Sequence, residues 1–201
     1  YPRNLKRDHR LLRGEKIDYL FLPVNQAIYP RGFRKWIRPG PLAKHLCGAK
    51  RPGHFRGVAT VVKRFFDLVR PNVSYFGEKD YQQARIIENM ARQLKIPVQI
   101  KTGPIIRERD GVAMSSRNRY LNRDERMKAS RIYASLKMAQ RMIKQGVRDA
   151  AKVEKAIQNE LLGQVSKIDY IQVSNPADLK PLKRIGRKSL IAIACFMGKT
   201  R

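Results

Sequence analysis

The chain has 201 residues and a mass of 23.3 kDa, which is enough for one large domain or two small ones. Its apolar fraction of 42% and its charged fraction of 30% are typical of a globular protein and exclude an intrinsically disordered one. Lys and Arg outnumber Asp and Glu by 44 to 16, so the net charge of +28 predicts attraction to nucleic acid, anionic membranes or phosphorylated small molecules.

Cysteine content and hydropathy exclude further classes of protein. With only Cys47 and Cys195, the chain has neither a disulfide framework nor a CxxC metal site, and we expect a cytoplasmic location. The longest apolar run, which starts at Ser189, is about half of the roughly 20 residues that cross a bilayer, so we expect no membrane partner. The first residues contain no signal-peptide core and no initiator Met, which predicts that the chain begins partway through a longer gene product or has been processed.

Helical and strand patterns alternate over residues 1–105. Charged residues with leucines on one side predict a helix over 4–14, and a run of β-forming residues predicts a strand over 17–24. Apolar residues spaced by three and four predict a helix over 57–69, which stops before a proline. The elements that follow, which together predict a βαβ unit, are a strand over 72–77, a helix over 80–95 and a strand over 98–106.

The character of the sequence changes after residue 105. A polar stretch leads into two predicted helices, over 122–146 and 148–162, and strand patterns follow at 170–174 and 189–196. A helix pair followed by two strands is typical of a small α+β domain. We therefore predict a boundary between residues 105 and 106, which divides the chain into domains 1–105 and 106–201.

The stretch VSYFGEKDYQQ is the first candidate site. Ligands of open α/β sheets bind beyond the carboxyl ends of the strands, and here a predicted strand ends at Gly77 just before a helix. Gly77 lets a ligand approach the backbone, the helix N-terminus favours phosphate, and Lys79 adds a mobile positive charge. A solvated helix cap, with Asp80 near the N-cap, explains the same residues equally well, so both interpretations stay open.

A second candidate site, DGVAMSSRNRYL, follows the predicted boundary. Asp110 and Gly111 predict a tight turn. Ser115 and Ser116 offer hydroxyl and N–H donors, and Arg117 can bind a phosphate through two parallel hydrogen bonds. The alternative is a loop that only caps the next helix. Two anion-binding loops, one in each predicted domain, favour a ligand cleft between the domains.

Three long motifs together resemble one family. RPGHFRGVATVV at 51–62, FGEKDYQQ at 76–83 and DGVAMSSRNRYL at 110–121 match, in order and spacing, the pantothenate synthetase family, and the resemblance extends over essentially the whole chain. It implies an α/β fold, in which a Rossmann-like nucleotidyltransferase domain that is N-terminally incomplete precedes a smaller α+β C-terminal lid domain. It also implies a ligase of pantothenate biosynthesis, which supplies a coenzyme A precursor by joining pantoate to β-alanine. ATP would be consumed through a pantoyl adenylate, with release of pyrophosphate.

The resemblance also implies roles for individual residues. Lys79, Ser115 and Arg117 are expected to be catalytic, because they donate to the triphosphate as negative charge develops at the α-phosphate. Asp80 is expected near the ribose, and the backbone at Ile106 near the adenine. The full set of expected ATP contacts is Gly77, Glu78, Lys79, Asp80, Ile106, Met114, Ser115, Ser116 and Arg117.

The resemblance also carries expectations about the binding of pantoate and of a metal ion. Gln83 is expected to hydrogen-bond pantoate, and Arg51 and His54 lie in a family motif near the pantoate pocket, although His54 is also explained as a structural histidine. ATP and Mg²⁺ are the expected cofactors. The family's His-x-Gly-His motif, its first pantoate-binding glutamine and an acidic pair near the metal do not occur in this sequence, so we expect no metal ligand in it and weak catalysis by the isolated chain.

The surplus of positive charge allows a function from another class. A basic pseudoenzyme derived from this family, acting as an RNA-binding or ribosome-associated protein, would explain both the +28 charge and the absent motifs. Against it, the ATP-facing residues are in place. A basic bias of the whole source proteome, or deliberate design, is a third explanation of the charge. The family resemblance further implies a homodimer, to which the helix with Val58, Val61 and Phe65 would contribute.

Overall fold

The structure, a computed structural model, describes residues 4–201. Two compact units divide the chain, one that ends at Lys35 and one over Trp36–Arg201. The helices are α1 (Leu5–Gly14), α2 (Asn25–Ile28), α3 (Leu46–Lys50), α4 (His54–Val69), α5 (Tyr81–Gln93), α6 (Arg123–Lys144) and α7 (Ala150–Leu161). The strands are β1 (Val73–Gly77), β2 (Gln99–Gly103), β3 (Lys167–Ser174) and β4 (Leu190–Phe196). Short 3₁₀ turns cover Pro41–Lys44, Glu78–Asp80 and Ser116–Tyr120.

The unit that ends at Lys35 confirms one predicted element and corrects another. Helix α1 forms as predicted, and the side chain of its N-cap residue Asn4 accepts a hydrogen bond from the Arg7 N–H at 3.0 Å. The strand predicted over 17–24 is wrong, because these residues form no strand and Tyr19 is 92% exposed. β-forming residues favour a strand only where a neighbouring strand pairs with them, and the described part of this unit contains no such neighbour.

The predicted βαβ unit is present in the second unit. Strands β1 and β2 pair in parallel, with Gly77 opposite Gly103. Helix α4 begins at His54, earlier than predicted, because Gly53 adopts φ +79° and turns the chain into the helix. The core between the helices and this sheet consists of Ala59, Phe66, Ile87 and Met90, with Val62, Phe76, Ile96, Val98 and Ile100 packed against them.

The predicted helix pair and the two strands after it are also confirmed. Helix α6 begins with a capping box, in which the Asn122 side chain accepts the Glu125 N–H and the Glu125 side chain accepts the Asn122 N–H, each at 2.9 Å. Strands β3 and β4 pair antiparallel. Their shared core with the two helices is made of Ala139, Ala150, Val153, Ile157, Leu161, Val173 and Ile185.

A third apolar cluster connects these two parts within Trp36–Arg201. Leu46, Phe55 and Ile86 pack against Leu179, which lies between β3 and β4. The Tyr81 hydroxyl adds a hydrogen bond of 3.0 Å to the Pro176 carbonyl oxygen. Residues from both sides of the predicted boundary therefore share one core, and the division between 105 and 106 stays a prediction. Within residues 4–201, every helix is too short or too polar to cross a membrane.

Candidate functional site

The carboxyl ends of β1 and β2 border open space. Gly77 and Gly103 lie opposite each other at these ends, and a Cβ atom built on either glycine would meet no other atom within 4 Å. Parallel strands place ligands at this edge, because their loops leave a crevice there. The backbone of the two strands is therefore accessible to a ligand at the position that the sequence predicted for Gly77.

The turn Glu78–Asp80 follows Gly77 directly and presents its charges to solvent. The side chains of Lys79 and Asp80 are 42% and 64% exposed, and Lys79 Nζ lies 3.7 Å from Asp80 Oδ2. Asp80 is the N-cap residue of α5, but its side chain makes no capping hydrogen bond. Asp80 therefore occupies the N-cap position that the helix-cap interpretation predicts. The carboxylate of Asp80 does not cap the helix, so it can accept another partner.

Residues 107–113 form a small hairpin that leads to the second candidate motif. Arg107 and Ala113 pair across it, and the Met114 N–H donates to the Ile106 carbonyl oxygen at 2.9 Å. Gly111 adopts φ +89°, and a Cβ atom there would come within 3.0 Å of the Tyr133 ring, so the turn requires glycine. Ile106 is 60% exposed, which leaves its side chain accessible next to this turn.

Two carboxylates fix the hairpin on α6. Arg126 donates to Glu108 at 2.7 Å and to Asp110 at 3.0 Å. Hydrogen bonds from Asn118 and Arg126 lower the pKa of Glu108, and the hydrogen bond from Arg126 lowers the pKa of Asp110. Both carboxylates are therefore charged at neutral pH, and their ion pairs hold the hairpin in place.

The serines and Arg117 lie on the 3₁₀ turn after this hairpin. Ser115 Oγ accepts the Arg117 backbone N–H at 3.2 Å, so Ser115 caps this 3₁₀ turn, whereas the next helix, α6, is capped by Asn122. Ser116 is exposed. The Arg117 Nη1 atom donates to the main-chain oxygen of Arg201 at 3.4 Å. The turn thus fixes the backbone of Arg117, and a residue far along the chain contacts its guanidinium.

Charges from all three motifs act on one imidazole, that of His54. Burial lowers the pKa of His54, the positive charges of Arg51, Arg201 and Arg117 lower it further, and the negative charge of Asp80 opposes them. Arg51 Nη1 lies 3.2 Å from His54 Nε2. Because an arginine can only donate, His54 Nε2 is the acceptor and its proton lies on Nδ1. Charged residues of all three motifs therefore lie near His54, and three of the four charges that act on its pKa are positive.

The remaining predicted residues are close in sequence to Asp80 or Arg117. Gln83 is half-buried on α5, three residues after Asp80. Met114 is 60% exposed, and its N–H holds Ile106 through the bond described above. Gly77 is the last residue of β1, and Glu78 is the first residue of the turn before α5.

Sequence reasoning missed Gln82, the neighbour of Gln83. The Gln82 side chain is 6% exposed, and its Nε2 atom donates to the carbonyl oxygens of Leu42 at 2.8 Å and His45 at 2.7 Å. Its Oε1 atom accepts the Cys47 N–H at 3.0 Å. These bonds fasten α5 to α3 and the turn before it. The available signal was its spacing, because Gln82 lies one helical turn before the buried Ile86.

Replacing Gln82 with leucine should lower the free energy of unfolding by about 2 kcal/mol, because the Leu42 carbonyl oxygen and the Cys47 N–H lose the partner that Gln82 supplies. The His45 carbonyl oxygen loses one bond but keeps those from the Gly48 and Ala49 N–H groups. Urea denaturation followed by circular dichroism measures this change. Gln93→Leu is the matched control, since Gln93 is an exposed glutamine at the end of the same helix. Equal effects of the two substitutions would show that the buried bonds of Gln82 contribute nothing specific.

Comparison with known proteins gives one consistent family. The family model for pantoate-beta-alanine ligase matches residues 1–201. A pantothenate synthetase of Fervidobacterium nodosum is 46% identical over 201 residues, which are 100% of this chain and 72% of that protein. The crystal structure of pantothenate synthetase from Thermus thermophilus superposes with a TM-score of 0.91 at 41% identity, over 97% of this chain and 71% of that one. The pantoate-beta-alanine ligase from Francisella tularensis, complexed with Beta-gamma ATP and Beta-alanine, has a TM-score of 0.80 at 32% identity, over 100% of this chain and 68% of that one.

Proposed function

This chain belongs to the pantoate–β-alanine ligase, or pantothenate synthetase, family, and we propose that it joins pantoate to β-alanine with consumption of ATP. The resemblance inferred from the three sequence motifs and the α/β fold class are thereby confirmed. The observation that supports the proposal most directly is that Arg51, Asp80 and Arg117, one from each motif, all lie close enough to His54 to act on its pKa, with Arg51 Nη1 3.2 Å from His54 Nε2.

Adenylation is the step that the positive charges of this site suit. The pantoate carboxylate attacks the α-phosphorus of ATP, and the bond from that phosphorus to the bridging oxygen breaks and releases pyrophosphate. Lys79 and Arg117 are proposed to bind the phosphate oxygens on which negative charge develops. Ser115 Oγ accepts the Arg117 backbone N–H, so its own hydroxyl hydrogen can be donated to the same phosphates.

The amide bond then forms in a second step. The β-alanine amine attacks the acyl carbon of the pantoyl adenylate, AMP leaves, and the amine loses a proton. Gln83, Arg51 and His54 are proposed to bind pantoate. His54 supports this role because its lowered pKa keeps the imidazole neutral, so that the positive charge at the carboxylate comes from Arg51.

The nucleotide is proposed to lie between the turn after β1 and the hairpin after β2. The open backbone at Gly77 and the exposed side chain of Ile106 support this position. We propose residues 106–201 as the lid over a nucleotide held by residues 1–105, which would keep water from hydrolysing the acyl adenylate. The ATP contacts proposed are Gly77, Glu78, Lys79, Asp80, Ile106, Met114, Ser115, Ser116 and Arg117.

Mg²⁺ is proposed to accompany ATP, because a divalent ion offsets the charge of the triphosphate. Within residues 4–201 no group of three or more His, Cys, Asp or Glu side chains could hold a metal ion. The described residues therefore do not fit a protein-bound metal centre, and the phosphate oxygens of ATP would supply most ligands. None of the steps above depends on the ion.

Pantoate-dependent exchange of pyrophosphate into ATP tests the proposed function. We expect exchange with the complete gene product that contains residues 1–201, and none without pantoate, because the exchange needs the adenylate to form reversibly. We expect the isolated chain to exchange more slowly, since it spans about 72% of the relative's length. The same protein should release AMP only when β-alanine is added. Absence of exchange in the complete gene product would refute the enzymatic function.

Neither the family match nor the relatives support the RNA-binding alternative, and we do not propose it. We propose a cytoplasmic location, which the free thiols of Cys47 and Cys195 support. We also propose a homodimer. Exposed apolar side chains at the end of α4, Leu68 at 44% and Val69 at 52%, support an interface that includes this helix.

A further inference from the structure

Arg201 connects three separate parts of the second unit. Its Nε atom donates to Asp169 Oδ2 at 2.7 Å, and its Nη1 atom donates to Cys47 Sγ at 3.5 Å. Its main-chain oxygen accepts the guanidinium of Arg117 at 3.4 Å. We propose that Arg201 is a positioning residue, which fixes Arg117 at the phosphate-binding end of the site.

The anchors of Arg201 are well placed to hold its main chain. The side chains of Arg201 and Asp169 are only 20% and 12% exposed, so solvent screens their ion pair poorly. Asp169 lies in β3, and Cys47 lies in α3, where it packs against the apolar cluster around Leu46. Two elements of the folded core therefore determine where the acceptor for Arg117 lies.

The position of Arg201 also affects the charge of the site. Four charged groups act on His54 besides its burial: Arg51, Arg201 and Arg117 with positive charges, and Asp80 with a negative one. Arg201 therefore lies near enough to the site to change its potential as well as its geometry. The expected effect of Arg201 on ATP affinity rests on the proposed function, whereas its effect on the pKa of His54 does not.

ATP binding to the complete gene product, measured by calorimetry, tests the positioning role. Arg201→Gln should weaken ATP binding about tenfold, because the main-chain oxygen that accepts the Arg117 guanidinium loses the side-chain bonds that anchor it. Arg201→Lys should weaken it as well, since one ammonium cannot replace the two directed bonds of the guanidinium. Lys199→Gln removes the same charge at an exposed position two residues away and should leave ATP binding unchanged.

A double substitution separates positioning from a direct contact with ATP. If Arg201 acts through Arg117, adding Arg201→Lys, which keeps the positive charge, to Arg117→Gln should cause no further loss of affinity. Additive losses would overturn the positioning role, and so would tight ATP binding by Arg201→Gln alone. Thermal unfolding of each variant shows whether the fold is retained.

The titration of His54, followed by NMR of its ring protons, tests the placement of Arg201 without ATP. Arg201→Gln removes a positive charge that lowers the pKa of His54, so this pKa should rise toward its ordinary value. Arg201→Lys and Lys199→Gln should leave the pKa low. An unchanged pKa in Arg201→Gln overturns the placement, even in a protein that binds no ATP. A protein with the expected rise but no ATP binding would instead refute the proposed function.

Discussion

Lys79→Met should lower the rate constant of pantoate-dependent ATP–pyrophosphate exchange by about 100-fold or more, because it removes a charged donor from the phosphates on which negative charge develops. The KM for ATP should rise less than the rate constant falls, since the ammonium matters most in the transition state. The side chain is 42% exposed, so methionine fits without disturbing the core. Initial rates at varied ATP concentration give both constants.

Lys95→Met is the control for this substitution. Lys95 is exposed and follows the C-terminal end of α5, whereas Lys79 precedes its N-terminal end, so the two changes remove equal charge at opposite ends of one helix. The control should keep nearly the full exchange rate. A similar loss in both variants would assign the effect to overall charge and would exclude a specific role of Lys79 at the phosphates.

Gly48→Ala should lower the free energy of unfolding by about 3 kcal/mol, because the new methyl group has no room. Gly48 is buried in α3, and a Cβ atom there would lie within 3.0 Å of the backbone carbonyl oxygen of Ala43. Backbone atoms cannot rotate away as a flexible side chain can. Either α3 or the turn Pro41–Lys44 must shift, and urea denaturation measures the cost.

Gly57→Ala provides the opposite expectation for the same chemical change. Gly57 lies inside α4, and a Cβ atom there meets no other atom within 4 Å. Alanine should stabilise the helix by roughly 0.5–1 kcal/mol, because it reduces the freedom of the unfolded chain without a clash. If Gly48→Ala were as harmless as Gly57→Ala, the close approach of α3 to the preceding turn would be refuted.

Much of the fold could be predicted because its signals are local. The three-and-four spacing that ends at Val69 defines one face of α4, and Asn122 with Glu125 marks the start of α6. The segment over 17–24 contains the same kind of β-forming residues as β1, yet it forms no strand. Strand formation depends on a pairing partner, which is a property of the tertiary structure and cannot be obtained from one segment alone.

The sequence supplied a set of candidate site residues but not their arrangement in space. The motifs identified Lys79, Arg117 and Gln83, whose placement against ATP and pantoate stays a proposal. The contact of Arg117 with Arg201 joins residues that are far apart in sequence, so no local pattern indicates it. For Gln82 the sequence predicts only part of the result. Helical spacing indicates that its side chain is buried, whereas its backbone partners depend on how α3 packs against α5.

Helix α5 carries both halves of the proposed chemistry. Asp80, a proposed ATP contact, is the N-cap residue of this helix. Gln82 bonds the helix to the segment that leads to Arg51 and His54, which are proposed to bind pantoate. Any displacement of this helix should therefore change both proposed binding sites at once. Equilibrium linkage then makes the effect mutual: if bound ATP strengthens the affinity for the acid substrate by a given factor, the bound acid strengthens the affinity for ATP by the same factor.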